Sequence, residues 1–182
     1  GDVYKRQPQA NVRNGEMPIP PGTASIRPNQ QHAHSFTERE CATCHTQVSP
    51  FPETPGVDNP TDSGHRFEVS IESCAECHPA SQRISDRLAS LQRSVQDRLN
   101  AIKDRLDAAV PPTDNGLPGW EYASNNRQVS QASLNDNVKK ARFIYYYILN
   151  DGSGGAHNPA YVKDLLTYVE LTDLDPEAPG FQ

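Results

Sequence analysis

The sequence predicts a mainly α protein in which a loop-rich segment is followed by a long-helix hairpin or three-helix bundle. All four cysteines and five of the six histidines fall within residues 31–80, which proline interrupts repeatedly. From residue 84 onwards, apolar residues recur at alternating steps of four and three, the spacing of one helix face. We therefore expect three regions: a Pro-rich arm at 1–30, a Cys- and His-rich segment at 31–80 and a helical region at 81–182.

The composition limits both the core and the partners. Of the 182 residues, 35% are hydrophobic and 7% aromatic, so a core built from side chains alone would be thin for this length. The net charge is −6, with 23 Asp and Glu against 17 Lys and Arg, which argues against a nucleic-acid partner. No stretch approaches the roughly 20 apolar residues that a membrane span needs, so we expect no membrane span.

The N-terminal region predicts an extended arm or linker. Five prolines interrupt the stretch between Pro8 and Asn29, and we expect them to prevent any helix or central strand. The opening residues 1–7 resemble a translated adapter scar, and no signal peptide is visible. We therefore expect the natural protein to be longer at its N-terminus.

Three helices are predicted in the C-terminal region. The first ends at Pro111 and carries one apolar stripe. This stripe consists of Ile84, Leu88, Leu91, Val95, Leu99, Ile102, Leu106 and Val110. The second is expected to begin after Ser133, with Ser133 and Asp136 forming a capping box, and to end near Gly152. The third has Asn158 as its N-cap, followed by proline at its first position.

Two copies of the motif C-x-x-C-H carry the strongest chemical signal. Two thiols three positions apart can each add to one vinyl group of a haem, and the next residue then lies beneath the iron as its proximal ligand. We therefore predict two covalently attached c-type haems in a dihaem-binding segment, each supplying hydrophobic core. The residues that hold them would be Cys41, Cys44 and His45 for the first haem and Cys74, Cys77 and His78 for the second.

Two other interpretations of the cysteine pairs fit less well. A thiol–disulfide redox pair usually follows a strand in a βαβ pattern, and the sequence shows no such pattern. A four-cysteine zinc site typically has about 15 to 20 residues between its pairs, whereas 29 residues separate Cys44 from Cys74. Neither interpretation explains why histidine follows both pairs.

Four further histidines are candidates for the distal iron position. His34 and His65 each precede a motif and are each followed two residues later by phenylalanine, which would pack beside the porphyrin. His32 competes with His34 but lacks this aromatic residue. His157 lies on a glycine-rich turn before the third helix. Which histidine would serve which iron stays open at this point.

The C-terminal region carries a resemblance to a known family. The passages Ala141–Tyr146, Asn150–Ser153 and His157–Tyr161 resemble the C-terminal region of multihaem cytochromes c related to the ammonia-forming nitrite reductases and octahaem reductases. The resemblance implies long C-terminal helices that form a homo-oligomer contact, and a distal-ligand role for His157. The catalytic haem of those nitrite reductases commonly has Lys in place of the motif histidine, whereas both motifs here end in His.

These features favour an electron carrier over a catalyst, and we assign no catalytic residue. Two histidines on each iron would leave no position for a substrate and would give low reduction potentials. The acidic surface would attract redox partner proteins through a basic docking patch. Because haem is attached to such motifs outside the bacterial cytoplasmic membrane, we expect a periplasmic or extracellular location.

Two alternatives remain. The chain could be the C-terminal part of a multihaem reductase acting on small nitrogen or sulfur oxyanions, which requires an iron with an open position on an upstream haem. It could also be a subunit of a polymeric cytochrome, in which His32 or His34 would bind a haem of the neighbouring subunit.

Overall fold

The computed structural model describes residues 8–16, 30–48, 52–58, 64, 67–79, 83–113, 116–121 and 130–174. These residues are mainly helical and form no β-strand, which confirms the predicted mainly α class. The α-helices are α1 (Gln9–Asn14), α2 (Cys41–His45), α3 (Ile84–Ala109), α4 (Asp136–Asp151) and α5 (Pro159–Tyr168). Short 3₁₀ turns span Ala33–Phe36, Ile71–Glu76 and Gln131–Ser133, and a π-helical turn, Val169–Asp173, follows α5. None of the described helices is long and apolar enough to cross a membrane.

The chain divides into two compact units. The helical unit comprises Gly1–Gln31 and Leu91–Gln182, and the motif unit comprises His32–Ser90. Among the described residues, every buried hydrophobic side chain belongs to the helical unit. These side chains are Val12, Val95, Leu99, Ile102, Leu106, Trp120, Leu134, Val138, Ala141, Ile144, Tyr147, Ile148, Tyr161, Val162, Leu165, Leu166, Val169 and Leu174. Helices α3, α4 and α5 therefore share one core.

The apolar stripe of α3 enters this core through its later turns. Four of the predicted stripe residues are buried, from Val95 to Leu106, whereas Ile84 and Leu88 are partly exposed. A second contact lies beside the stripe, where the Arg98 guanidinium donates two hydrogen bonds of 2.8 Å to the Glu170 carboxylate. This two-pronged geometry fixes the register of α3 against the turn after α5 more firmly than a single contact would.

Helix α4 begins two residues later than a Ser133 cap would place it, so the predicted capping box is wrong. The Ser133 hydroxyl donates instead to the Ser130 carbonyl at 2.8 Å, which satisfies the preceding 3₁₀ turn. Asn135 is the N-cap, and its side-chain oxygen accepts the Asn137 amide at 2.8 Å. The helix ends as predicted, at Gly152, which has the left-handed φ of 72°.

Helix α1 lies in a stretch where we expected no helix, and that prediction was wrong. Pro8 occupies its N-cap position, where a missing backbone N–H costs nothing. Tertiary contacts then hold the short helix in place. Val12 is fully buried, and the Tyr147 hydroxyl of α4 donates to the Glu16 carbonyl at 2.7 Å.

The predicted N-cap of α5 is confirmed, and Asn158 also ties together three parts of the helical unit. Its side-chain oxygen accepts the Tyr161 amide at 3.1 Å. Its side-chain nitrogen donates to the Gln30 carbonyl at 2.6 Å and to the Arg13 carbonyl at 3.3 Å. Because Asn158 is fully buried, water cannot replace these bonds.

Replacing Asn158 by Ala should lower the free energy of unfolding by about 3 kcal/mol, since it removes an N-cap and takes the donor from the buried Arg13 carbonyl and the part-buried Gln30 carbonyl. Urea denaturation of the variant would measure this loss. Asn135→Ala is the matched control, because it removes an exposed N-cap and should cost only about 1 kcal/mol. Equal losses in the two variants would show that the bonds to Arg13 and Gln30 contribute nothing.

Candidate functional site

Both cysteine motifs adopt a tight helical turn. The first motif is α2 itself, and the second lies at the end of the 3₁₀ turn, where the His78 amide donates to the Cys74 carbonyl at 2.7 Å. Residues three apart on such a turn project from the same side, so each motif presents its two thiols together. None of the four cysteines forms a disulfide, and Cys41 and Cys77 are exposed. Each turn therefore presents two free thiols on one side.

The histidine of the first motif is anchored by the backbone that precedes the second motif. Its Nδ1 lies 2.7 Å from the Phe67 carbonyl oxygen. A carbonyl can only accept, so Nδ1 of His45 must carry the proton, and in the neutral imidazole Nε2 then bears the lone pair. Histidines that bind metals commonly donate their second ring nitrogen to a carbonyl in this way.

The backbone before the second motif is tightly held against the first. Gly64 has a φ of 73°, and a Cβ atom at this position would lie 2.8 Å from the Thr46 carbonyl oxygen. Phe67 also has a positive φ, 56°, which is uncommon for an aromatic residue. The close packing of Gly64 against Thr46 accompanies the contact of the Phe67 carbonyl with His45. The predicted ligand His65 lies outside the described residues.

Three histidines from two parts of the motif unit, the turn at Ala33–Phe36 and the second motif, lie close together. The ring centroids of His32 and His34 are 5.1 Å apart, and those of His34 and His78 are 6.2 Å apart. Burial, followed by the nearby His34 and His78, lowers the pKa of His32, which favours its neutral form. The Nδ1 atom of His32 is buried without a hydrogen-bond partner. Two of the predicted distal candidates, His32 and His34, are thus brought beside one predicted proximal ligand.

The motif unit exposes large apolar side chains and, in its described part, buries none. The exposed ones are Phe36, Val48, Val57, Phe67, Val69 and Ile71. Phe36 and Phe67, the two aromatics of the predicted repeat, are 70% and 67% exposed. Large apolar side chains left in water in this number are uncommon unless a ligand or partner covers them.

The fourth candidate, His157, lies in the helical unit and is paired with a buried acid. Its Nδ1 is 2.6 Å from Asp151 Oδ1, and the Asp151 side chain has no exposed surface. The Ser153 hydroxyl also donates to Asp151, while its oxygen accepts the amides of Gly155 and His157 at 3.2 Å. Asp151 therefore fixes both the turn and the imidazole.

Sequence reasoning missed both anchors of the candidate ligands. The partner of His157 had a local signal, because Asp151, Ser153 and His157 lie within one short turn whose polar side chains can bond to each other. The partner of His45 had no signal in the sequence, because the acceptor is a backbone carbonyl, which any residue could supply.

Comparisons with known proteins gave no match to a protein-family model, to a curated protein or to a solved structure. Within the described residues, no cluster of three or more His, Cys, Asp or Glu side chains is arranged to hold a metal ion. Any function assigned to the motif unit must therefore be argued from its own side chains.

Replacing Asp151 by Ala should destabilise the protein by about 2 kcal/mol, because His157 and Ser153 each lose a buried acceptor. Thermal or urea denaturation would measure the change. Asp136→Ala is the matched control on the same helix, since its carboxylate is 82% exposed and pairs only with the nearby Lys139, so little change is expected. A similar small effect of both substitutions would contradict a structural role for the buried pair.

Proposed function

We propose that this chain is a multihaem c-type cytochrome that carries two covalently attached haems and transfers electrons through bis-histidine, low-spin irons. The observation that carries the proposal is the hydrogen bond from His45 to the Phe67 carbonyl, 2.7 Å long, within one of two C-x-x-C-H motifs. Haem iron supplies the one-electron redox couple, and the chain supplies its attachment, its axial ligands and its surroundings.

The donor set supports haem c. Each motif pairs two thiols on one side of a helical turn with an imidazole that directly follows them, as thioether attachment and proximal ligation require. The protonated Nδ1 of His45 leaves Nε2 as the nitrogen that would bind iron. The hydrogen bond to a carbonyl would also orient the ring and strengthen it as a ligand.

The apolar surface of the motif unit supports a large hydrophobic ligand. Exposed Phe36 and Phe67 lie near the motifs in sequence, in a unit whose described residues include no buried apolar side chain. A macrocycle packed against such side chains would remove apolar area from water at about 25 cal/mol per Å². The haems would then replace the core that this part of the chain does not build for itself.

Electron transfer is favoured over catalysis because candidate distal histidines lie next to a proximal one. His34 approaches His78, and a second imidazole on the iron would exclude substrate from that haem. The net charge of −6 would attract a redox partner with a basic docking surface in a salt-sensitive manner. We place the protein in the periplasm or outside the cell, where haem is attached to such motifs.

The test is the spectrum of protein produced with the haem-attachment machinery. We expect two haems per chain that survive denaturation, and sharp low-spin bands in the reduced protein that carbon monoxide does not shift. Absence of covalent haem would overturn the proposal. A carbon monoxide shift in the intact protein would reveal an open iron and favour the reductase alternative.

Replacing Cys77 by Ser should lower the haem retained per chain under denaturing conditions, because one thioether bond of the second haem is lost. Haem staining of denaturing gels, normalised to protein, would measure the loss. Ser73→Ala is the control, because Ser73 lies on the same turn and its hydroxyl donates to the Ser70 carbonyl at 2.7 Å. Full retention in the Cys77 variant would contradict attachment at this motif.

A further inference from the structure

We propose that His34 and His78 are the two axial ligands of one iron, that of the haem attached at Cys74 and Cys77. This assignment rests on the proposed function and goes beyond it, because it gives the second haem a distal ligand that precedes the first motif in the chain. The distal ligand of the second haem therefore comes from the segment that precedes the first motif.

The distance between the two imidazoles carries the assignment. A metal-to-imidazole bond is about 2.0 Å long, and a ring nitrogen lies about 1.2 Å from its ring centroid, so two imidazoles on opposite sides of one iron have centroids about 6.4 Å apart. The centroids of His34 and His78 are 6.2 Å apart. Their planes are 83° apart in an edge-on arrangement, and ligation permits perpendicular planes, because each ring can rotate about its bond to the metal.

The neighbouring His32 plays a different part. It contacts His34 edge to face at 5.1 Å, which is closer than the spacing that a shared iron would require. Its backbone closes the short turn that carries His34, since the Ser35 amide donates to the His32 carbonyl at 2.7 Å and the His32 amide donates to the Ser35 hydroxyl at 3.2 Å. His32 thus supports the His34 ring and the turn beneath it.

The assignment also constrains the first haem. If His34 serves the second iron, it is not available to the first, although it precedes Cys41 by only a few residues. The first iron, bound by His45, then takes its distal ligand from a histidine other than His34 or the supporting His32. Sequence proximity to a motif is therefore a poor guide to which haem a distal histidine serves.

His34→Ala in the two-haem protein provides the first experiment. We expect half of the haem to become high-spin and to bind carbon monoxide, with covalent haem unchanged, and added imidazole to restore the low-spin spectrum. His32→Ala is the matched control and should stay low-spin. Retention of the fully low-spin spectrum by His34→Ala, or loss of half of it in His32→Ala alone, would overturn the assignment.

Single-haem variants identify the iron concerned. In Cys41→Ser/Cys44→Ser protein, which keeps only the second haem, adding His34→Ala should convert all of the haem to high spin. In Cys74→Ser/Cys77→Ser protein, the same substitution should change nothing. The pairing would be overturned if His34→Ala left the second haem low-spin, or if it converted the first haem to high spin. Either single-haem protein gives a decisive result, so one is sufficient if the other does not accumulate. Covalent haem in the parent protein is measured first, so a failure of the proposed function is recognised separately.

Discussion

The uneven distribution of apolar side chains constrains the rest of the structure. Helices α3, α4 and α5 gather the buried core, and the described part of the motif unit contributes no buried apolar side chain to it. Since hydrophobic burial is the main favourable contribution to folding, a segment without it needs another source of stability. A covalently attached macrocycle would supply that source through apolar contact area and metal–ligand bonds. The cysteine motifs would attach such a macrocycle, and the exposed phenylalanines would pack against it.

Within that constraint, each described candidate ligand is positioned by a different kind of contact. His45 donates to a backbone carbonyl, and His157 donates to a buried carboxylate. A carboxylate partner gives an imidazole more anionic character than a carbonyl does, so an iron bound by His157 would have its oxidised state stabilised further. His34 instead contacts other imidazoles. If the proposed haems are bound, these different partners would give their irons different potentials, as an electron relay requires.

The sequence predicted features that arise from local spacing and missed those that depend on distant contacts. The stripe of α3 and the cap at Asn158 follow from periodicity and short-range hydrogen bonding, and both were predicted. Helix α1 was missed because burial of Val12 in the core outweighs the weak propensity of a short segment next to proline. The predicted cap of α4 at Ser133 was wrong because Asn135, an equally good cap residue, lies two positions later and is used instead. The contacts of His34 with His78 and of His45 with the Phe67 carbonyl join positions far apart in sequence, so no local pattern contains them.

The crossed assignment links ligation to the folding of the motif unit. An iron bound by both His34 and His78 would join the start of this unit to its second motif, and the His45 bond to the Phe67 carbonyl joins its middle to the first motif. Closing such loops on folding costs conformational entropy, and the metal bonds would offset that cost only once haem is bound. Haem insertion and ordering of the motif unit are then one event. The helical unit, by contrast, has a buried hydrophobic core of its own, so its packing does not depend on a bound group in the same way.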